Sequence, residues 1–208
     1  MRFPYVQASL VAGLCVVTAA VVSTQTKTAA PAAPAAKAPA AKAQAAAPKV
    51  GMVAPPSTDA EKIKSALSAA PASISKDAAV MDMASMKVLR PGTNGWTCLP
   101  DGPSPGVDPM CLDKNGMDWA GAWMSHKIPP KDKMAIGYML AGGSDASNTD
   151  PFATEPKPGA RWVDTGPHMM VLNIADHFAG YPTTAANTKV PYVMFPGTPY
   201  AHLMIPVK

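Results

Sequence analysis

The sequence lacks several of the short motifs that accompany common catalytic mechanisms. It contains no H-E-x-x-H motif of the zinc metalloproteases and no glycine-rich loop of the kind that holds a nucleotide phosphate. These absences exclude a zincin-type protease and a P-loop or Rossmann nucleotide-binding protein as direct interpretations. The sequence also identifies no cofactor.

Acidic residues are absent from the first 58 positions. Five of the 18 basic residues lie there, so the remaining chain holds 13 basic and 14 acidic residues. That remainder carries no excess of positive charge of the kind that nucleic-acid-binding proteins use. We therefore expect no nucleic-acid partner, whereas the spaced lysines of the first part favour contact with an anionic envelope or wall surface.

The first 23 residues have the organisation of a signal peptide. Arg2 supplies a positive start, and an apolar run from Ala8 to Val22 follows before Ser23. The run is shorter than the about 20 apolar residues that a membrane-spanning helix needs. We therefore predict that the segment is cleaved and that the protein is exported, either to the periplasm or out of the cell.

Residues 24–57 lack what a folded segment needs. They are rich in alanine, proline and lysine and contain no aromatic residue. Such a segment buries too little apolar surface to offset the entropy lost on ordering. We predict a disordered linker here, followed by one domain over residues 58–208.

Cysteine is scarce, with three residues in the whole chain. Cys15 belongs to the predicted signal peptide, which leaves Cys98 and Cys111 in the exported domain. An even number of cysteines in an oxidising compartment indicates a disulfide. A redox or metal-binding pair is the alternative.

The apolar pattern of the domain predicts an α+β fold with one largely antiparallel sheet of five to seven strands and two or three helices packed on it. A capping box at Thr58 and Glu61 starts the first helix. The second helix lies between residues 112 and 127 and places Met117, Ala120, Trp123 and Met124 on one face. The strands are expected within residues 78–83, 86–90, 95–99, 133–142, 168–174, 191–195 and 201–207.

Five longer motifs are distinctive. They read GTNGWTC from residue 92, PMCLD from 109, GGSDASNTDPFAT from 142, TGPH from 165 and GTPYAH from 197. Together they resemble a family of small exported bacterial proteins without an assigned activity. The resemblance implies export and a single domain, and it carries over no cofactor or catalytic residue.

A polar, proline-containing segment over residues 142–160 is expected to form a long surface loop. Its oxygen-bearing side chains at Asp145, Ser147, Asn148 and Asp150 suit a calcium ion. They equally suit hydrogen bonds that cap the backbone of the loop itself. A third interpretation is a loop that binds a polar ligand or takes part in catalysis.

His168 and His202 each begin a predicted strand. If the two strands pair, the imidazoles approach each other, and with Asp145 or Asp150 they would suit zinc. Either histidine beside one of these aspartates would also suit the general base of a hydrolase. The simpler alternative is a pair of hydrogen-bonded structural residues.

The function that the sequence favours is a non-catalytic envelope or secreted module, and we expect a monomer. Its ligand or partner surface would consist of the 142–160 loop and the neighbouring His168. Trp162 either stacks on a sugar or peptide from this region or packs in the core. The alternatives are a periplasmic or secreted hydrolase and a metal-binding protein, as above.

Overall fold

A computed structural model of the chain describes residues 53–207. The chain divides into two units, residues 1–46 and 47–208, and all the described residues belong to the second. The predicted signal peptide and most of the predicted linker therefore lie outside the described residues. Within the described part, no helix combines the length and apolar character that a membrane span requires.

The described residues contain three α-helices, one 3₁₀ turn and ten strands. The helices are α1 (Asp59–Leu67), α2 (Ala72–Ser75) and α3 (Lys114–Met124), and the 3₁₀ turn is Ala175–His177. The first five strands are β1 (Ala79–Asp82), β2 (Lys87–Arg90), β3 (Thr97–Leu99), β4 (Met110–Leu112) and β5 (Ala135–Met139). The others are β6 (Ser144–Asp145), β7 (Val163–Asp164), β8 (His168–Leu172), β9 (Tyr192–Met194) and β10 (His202–Pro206).

Eight of the strands form one sheet in the order β2-β1-β3-β4-β5-β8-β10-β9, and β6 pairs with β7 in a separate two-stranded ladder. All neighbours in the large sheet are antiparallel except β1 and β3. The predicted α+β class with a largely antiparallel sheet is confirmed. The expected count of five to seven strands is too low, because the three-residue strand β4 lies beside the proline-rich loop and has no pattern of its own.

The sheet carries apolar residues on both faces. On one face, α1 packs over β1 and β3, and its Ala66 is fully buried against the disulfide. The other face is covered by α3 and holds a larger core with Leu112, Met170 and Met204. Burial on both faces explains why β8 and β10 are apolar along most of their length.

Helix α1 begins where the sequence predicts. The Thr58 side chain accepts a hydrogen bond from the Glu61 backbone, and the Glu61 carboxylate accepts one from the Thr58 backbone. This reciprocal pair satisfies two of the backbone N–H groups that a helix start leaves free. The capping box is therefore confirmed.

Helix α3 also begins where expected, and half of its predicted face is confirmed, because Ala120 is buried and Met117 packs against the core. Its buried residues are Gly116, Trp119 and Ala120, whereas Trp123 and Met124 are 36% and 41% exposed. Gly116 determines the contact, since a Cβ there would lie 3.1 Å from the Leu112 Cβ. The helix therefore approaches the sheet along its glycine side.

The predicted disulfide is present. Cys98 and Cys111 are directly opposite in the antiparallel pair of β3 and β4, and their sulfur atoms are bonded. Both residues are fully buried under α1. The bridge closes the proline-rich segment that ends next to the loop over residues 142–160.

Candidate functional site

The 142–160 loop begins and ends on the two-stranded ladder, where Asp145 is opposite Val163. Its middle is fastened to the main sheet, because the Phe195 N–H donates to the Asn148 carbonyl over 2.8 Å. The Asn148 side-chain amide donates to the Thr183 carbonyl over 2.9 Å. The loop is therefore not a free surface loop, because hydrogen bonds hold it at both its base and its middle.

A cavity of about 750 Å³ lies between this loop, α3 and the proline-rich disulfide loop. Three aromatic residues line it, namely Trp123, Trp162 and Phe195. Three carboxylates also line it, at Asp145, Asp150 and Glu155. A concave site that combines aromatic walls with a few polar groups is the usual form of a small-molecule site. We call this cavity the loop pocket.

Asp145 is the most perturbed group in the loop pocket. Part of its surface is open to the pocket, but protein atoms surround its carboxyl group closely, and no described residue donates a hydrogen bond to it. This desolvation raises the pKa of Asp145 from 3.8 to about 7, and the nearby Asp108 carboxyl adds to the rise. Asp145 is therefore partly protonated at neutral pH.

The Asp108 carboxyl fixes the position of the strand that carries Asp145. It accepts hydrogen bonds from the Ser144 backbone over 2.6 Å and from the Ser144 and Ser104 hydroxyls. The Asp108 backbone in turn donates to the Asp101 carboxyl over 2.7 Å. Burial raises the pKa of both Asp101 and Asp108. Two acids with raised pKa values, Asp101 and Asp108, thus lie behind the wall that carries Asp145.

Ser147 and Asp150 line the pocket, but their side chains also bond the loop. The Ser147 hydroxyl accepts from the backbones of Thr149 and Asp150, and the Asp150 carboxyl accepts from the Phe152 backbone. These are the backbone-capping contacts that the sequence offers as an alternative to calcium. Within the described residues, no group of three or more His, Cys, Asp or Glu side chains is arranged to hold a metal ion.

His168 is buried beneath the loop rather than exposed in the pocket. Its ring has no accessible surface, and its Nδ1–H donates to the Gly166 carbonyl over 2.7 Å. Its Nε2 has no hydrogen-bond partner among residues 53–207. The ring packs closely on Gly143, where a Cβ would lie only 2.3 Å from the His168 Cε1. Burial lowers the pKa of His168.

His202 lies in the core on the α3 side. It is 4% exposed, its Nδ1–H donates to the Tyr200 carbonyl, and its ring contacts Trp119 and Phe195 edge-on. Burial lowers its pKa to about 4. Phe195 thus separates His202 from the loop pocket, and the histidine contributes to the wall from behind.

The two histidine strands do pair, but in a register that separates the histidines. His168 is opposite Pro206, at the other end of β10 from His202. The two residues are therefore not cross-strand partners, although His168 is near enough to help lower the pKa of His202. Neither imidazole reaches the loop pocket, so the structure does not bring a histidine together with Asp145 or Asp150 as a hydrolase or zinc site would need.

The sequence contains one match to the motif of a nucleophilic serine, and the structure shows that it is not such a site. The letters G-P-S-P-G at residues 102–106 fit the pattern G-x-S-x-G of a nucleophilic serine. That pattern needs a strand, a sharp turn and a helix, whereas Ser104 lies in the loop between β3 and β4. Its hydroxyl donates to Asp108, and none of the described histidines is hydrogen-bonded to it. Ser104 is thus a wall residue of the pocket.

An aromatic stack stands at the mouth of the loop pocket. The Phe152 ring lies parallel to the rings of His126 and Trp123, with centroid distances of 4.1 and 6.4 Å. The Trp123 indole N–H donates to the Pro151 carbonyl over 2.8 Å. Phe152 is 38% exposed. The stack joins the outer end of α3 to the loop and keeps the two walls together.

A second cavity, of about 420 Å³, lies away from the loop pocket. Residues 128–132, 173–177 and 197–201 supply its walls, and Asn173 is its most buried polar residue. The Asn173 amide donates to the carbonyls of Asn115 and Lys133. The sequence gives no signal for this cavity, because its walls come from three separate turns.

Comparisons of the chain with protein-family models, with curated proteins and with solved structures found no match. The resemblance to small exported bacterial proteins therefore stays a prediction from the motifs. Function has to be argued from the loop pocket itself.

Proposed function

We propose that the protein is an exported module of the cell envelope or the extracellular space whose folded domain binds a ligand in the loop pocket. The observation that carries this proposal is the pocket: a cavity of about 750 Å³ with aromatic walls and a poorly solvated carboxyl group at Asp145. A group that is costly to bury and has no internal partner is a frequent mark of a functional site.

The construction of the loop supports this proposal. The loop is held by its ladder and by the Asn148 contacts, so its pocket-lining side chains are in place before a ligand arrives. A preformed site loses less entropy on binding than a flexible one. Phe195 is also held in the left-handed region, at φ 54°, which costs energy for a residue with a side chain. Such strain is common at binding sites.

Export is supported by the signal-like first 23 residues and by the disulfide between Cys98 and Cys111, a bond that persists in oxidising compartments. The direct test is to express the full chain in a bacterial host and fractionate the cells. We expect a periplasmic or secreted product whose mass shows loss of the signal segment and of two hydrogens at the cysteines. A cytoplasmic, full-length and reduced product would contradict export.

Ligand binding is tested on the purified exported protein by following amide chemical shifts and tryptophan fluorescence. The panel contains neutral sugars, short peptides, organic cations and organic anions. We expect at least one class to shift residues of the loop pocket, with the Trp162→Ala variant losing that response. Trp96→Ala is the matched control, because Trp96 packs on Tyr138 on the other face of the sheet. Saturable binding that survives both substitutions equally would place the ligand elsewhere.

Acid catalysis in the same pocket is a second candidate, favoured by one observation. A carboxyl group with a pKa of about 7 is able to donate a proton at neutral pH, as a hydrolase acting on a glycoside or ester requires. A turnover assay with the ligand class found above separates the two functions. Binding without turnover supports the module, whereas turnover that is lost in Asp145→Asn supports the enzyme.

A further inference from the structure

We propose that the loop pocket selects a small organic cation, whose ammonium group lies among the carboxylates of the pocket and against its aromatic walls. This inference rests on the proposed function, and it adds the chemical class of the ligand. Three features of the described residues support it: the charge of the lining, the aromatic walls and the position of Asp145.

The lining of the loop pocket contains acidic residues and no basic residue that would neutralise them. It includes Asp145, Asp150 and Glu155, and none of the described residues in it is a lysine, an arginine or a histidine. The basic residues Lys157, in the same loop, and Arg161, just after it, are exposed and are not among the lining residues. Asp108, immediately behind the wall, adds a further acid. An anionic ligand would be repelled here, and a cation would be attracted.

Aromatic rings strengthen the preference for an organic cation over a metal ion. Trp123, Trp162 and Phe195 all contribute to the walls. The faces of aromatic rings attract ammonium groups, and tryptophan does so most strongly. The same rings provide apolar area for the carbon skeleton of the ligand. A bare metal ion would gain little from these walls, and the described carboxylates are not arranged to coordinate one.

Asp145 is the group in the site that lacks a partner for its charge. Its carboxyl group lies at the pocket and receives no hydrogen bond from a described residue, and the nearby Asp108 carboxyl disfavours its charge. The Tyr192 phenol is also near Asp145, and Asp164 on β7 is near that phenol. His168, across Gly143, is neutral because burial lowers its pKa. A cationic group in the pocket would supply the missing partner.

The first experiment compares choline with its neutral isostere 3,3-dimethyl-1-butanol, using amide chemical shifts of the exported full chain. The two molecules have the same shape and differ in charge. We expect choline to bind at least about tenfold more tightly than the alcohol. Because the charge of choline does not change with pH, its affinity should rise about tenfold or more from about pH 5.5 to about pH 8, as Asp145 ionises.

Two variants and one shared control test which residues hold the cation. Asp145→Asn should weaken choline binding at least about tenfold at pH 8 and remove the rise with pH. Glu155→Gln, at the exposed rim, should weaken it only a few-fold and leave the rise intact. Asp118→Asn is the control for both, because Asp118 is an exposed carboxylate on α3 outside the pocket. It should change nothing. If Asp145→Asn fails to fold, the pH series on the unsubstituted protein remains a test of the same group.

The outcomes distinguish this inference from the proposed function. Tight binding of choline with weak binding of the alcohol, confined to pocket residues, supports both. Equal binding of the alcohol, or binding of neutral sugars or anions but not of choline, overturns the cation and keeps a ligand-binding module. If no compound of the wider panel shifts the signals of pocket residues, the proposed function and the inference are both overturned.

Discussion

The α1 side of the domain and the loop pocket differ in whether their buried or partly buried polar groups have hydrogen-bond partners. On the α1 side, the partly buried Asp82 carboxylate accepts a 2.7 Å salt bridge from Lys62, and the Arg90 guanidinium donates to the Ser75 and Ala78 carbonyls. Around the loop pocket, Asp145 receives no hydrogen bond from a described residue, and the buried Nε2 of His168 has no partner.

This difference shows which region is built for stability. Paired polar groups and apolar burial stabilise the α1 side, whereas an unpaired buried group costs about 1–3 kcal/mol. Groups that are destabilising in this way are often found where a ligand or a reaction uses them. The α1 side therefore has the features of a structural support, and the loop pocket has the unpaired groups on which the proposed binding function rests.

The largest effect that we expect comes from the charge of Asp145. Its pKa is 3.8 unfolded and about 7 folded, so the protonated form favours the fold. The stability that protonation provides is complete below about pH 4 and is lost as the pH rises to about 7, by up to roughly 4 kcal/mol. Urea unfolding from pH 4 to pH 8 measures this loss. Asp145→Asn, which stays neutral, should flatten that part of the profile.

The histidines make the opposite contribution at lower pH. Because burial lowers the pKa of His202 to about 4, the stability due to its neutral form is lost as the pH falls from 6.5 towards 4. The Asp145→Asn profile should therefore keep its fall on the acid side and show a smaller alkaline decline, which Asp101 and Asp108 still cause because burial raises their pKa values. A variant profile with the same alkaline decline as the unsubstituted protein would show that another group causes it.

Loss of the disulfide should have the next largest effect. The bridge between Cys98 and Cys111 closes a short loop, and removing such a bond costs about 3 kcal/mol. The double variant Cys98→Ser with Cys111→Ser should show this cost in its free energy of unfolding, and reduction of the unsubstituted protein should reproduce it. A change below about 1 kcal/mol would mean that the α1 side does not depend on its bridge.

A glycine substitution tests the packing of His168 under the loop. In Gly143→Ala, the new Cβ would lie 2.3 Å from the His168 Cε1, so the ring or the loop has to move. We expect a cost of about 1–3 kcal/mol. Gly121→Ala is the control, since nothing lies within 4 Å of a Cβ there, and in α3 it should stabilise by about 0.5–1 kcal/mol. Equal effects of the two alanines would contradict the packing described for His168.

The smallest expected effect concerns the start of α1. Thr58→Ala removes the side-chain acceptor of the capping box and should cost about 1 kcal/mol in chemical unfolding. Thr58→Ser keeps the hydroxyl and should restore most of the loss. Neither change should alter ligand binding, because no residue of α1 is among those that line the loop pocket. If Thr58→Ala also weakened ligand binding, the α1 side and the loop pocket would be energetically coupled, which would contradict the distinction between them.

The regular elements follow from local patterns in the sequence. The capping box at Thr58, the apolar runs of β5 and β8 and the even pair of cysteines all act over short distances, and each is found as predicted. The face of α3 is different, since apolar residues occur around most of that helix. The glycine at position 116 was the available signal, because it permits the closest approach to the sheet.

The site depends on contacts that no local pattern reveals. The candidate acid Asp145 could be named from its loop, but its desolvation comes from the proline-rich loop, β7 and the core around Tyr192. The pairing of β8 with β10 could likewise be anticipated, whereas its register, which separates His168 from His202, could not. The pocket walls come from segments that are distant in the sequence.

The most direct test of this account is the pKa of Asp145, followed through the ¹³C shift of its side-chain carboxyl group as the pH is varied. We predict a midpoint near 7 for the exported protein and a lower midpoint when the loop pocket holds a saturating organic cation. A midpoint near the ordinary aspartate value of 3.8 in the free protein would contradict the central claim, because it would mean that the carboxyl group is well solvated and needs no partner.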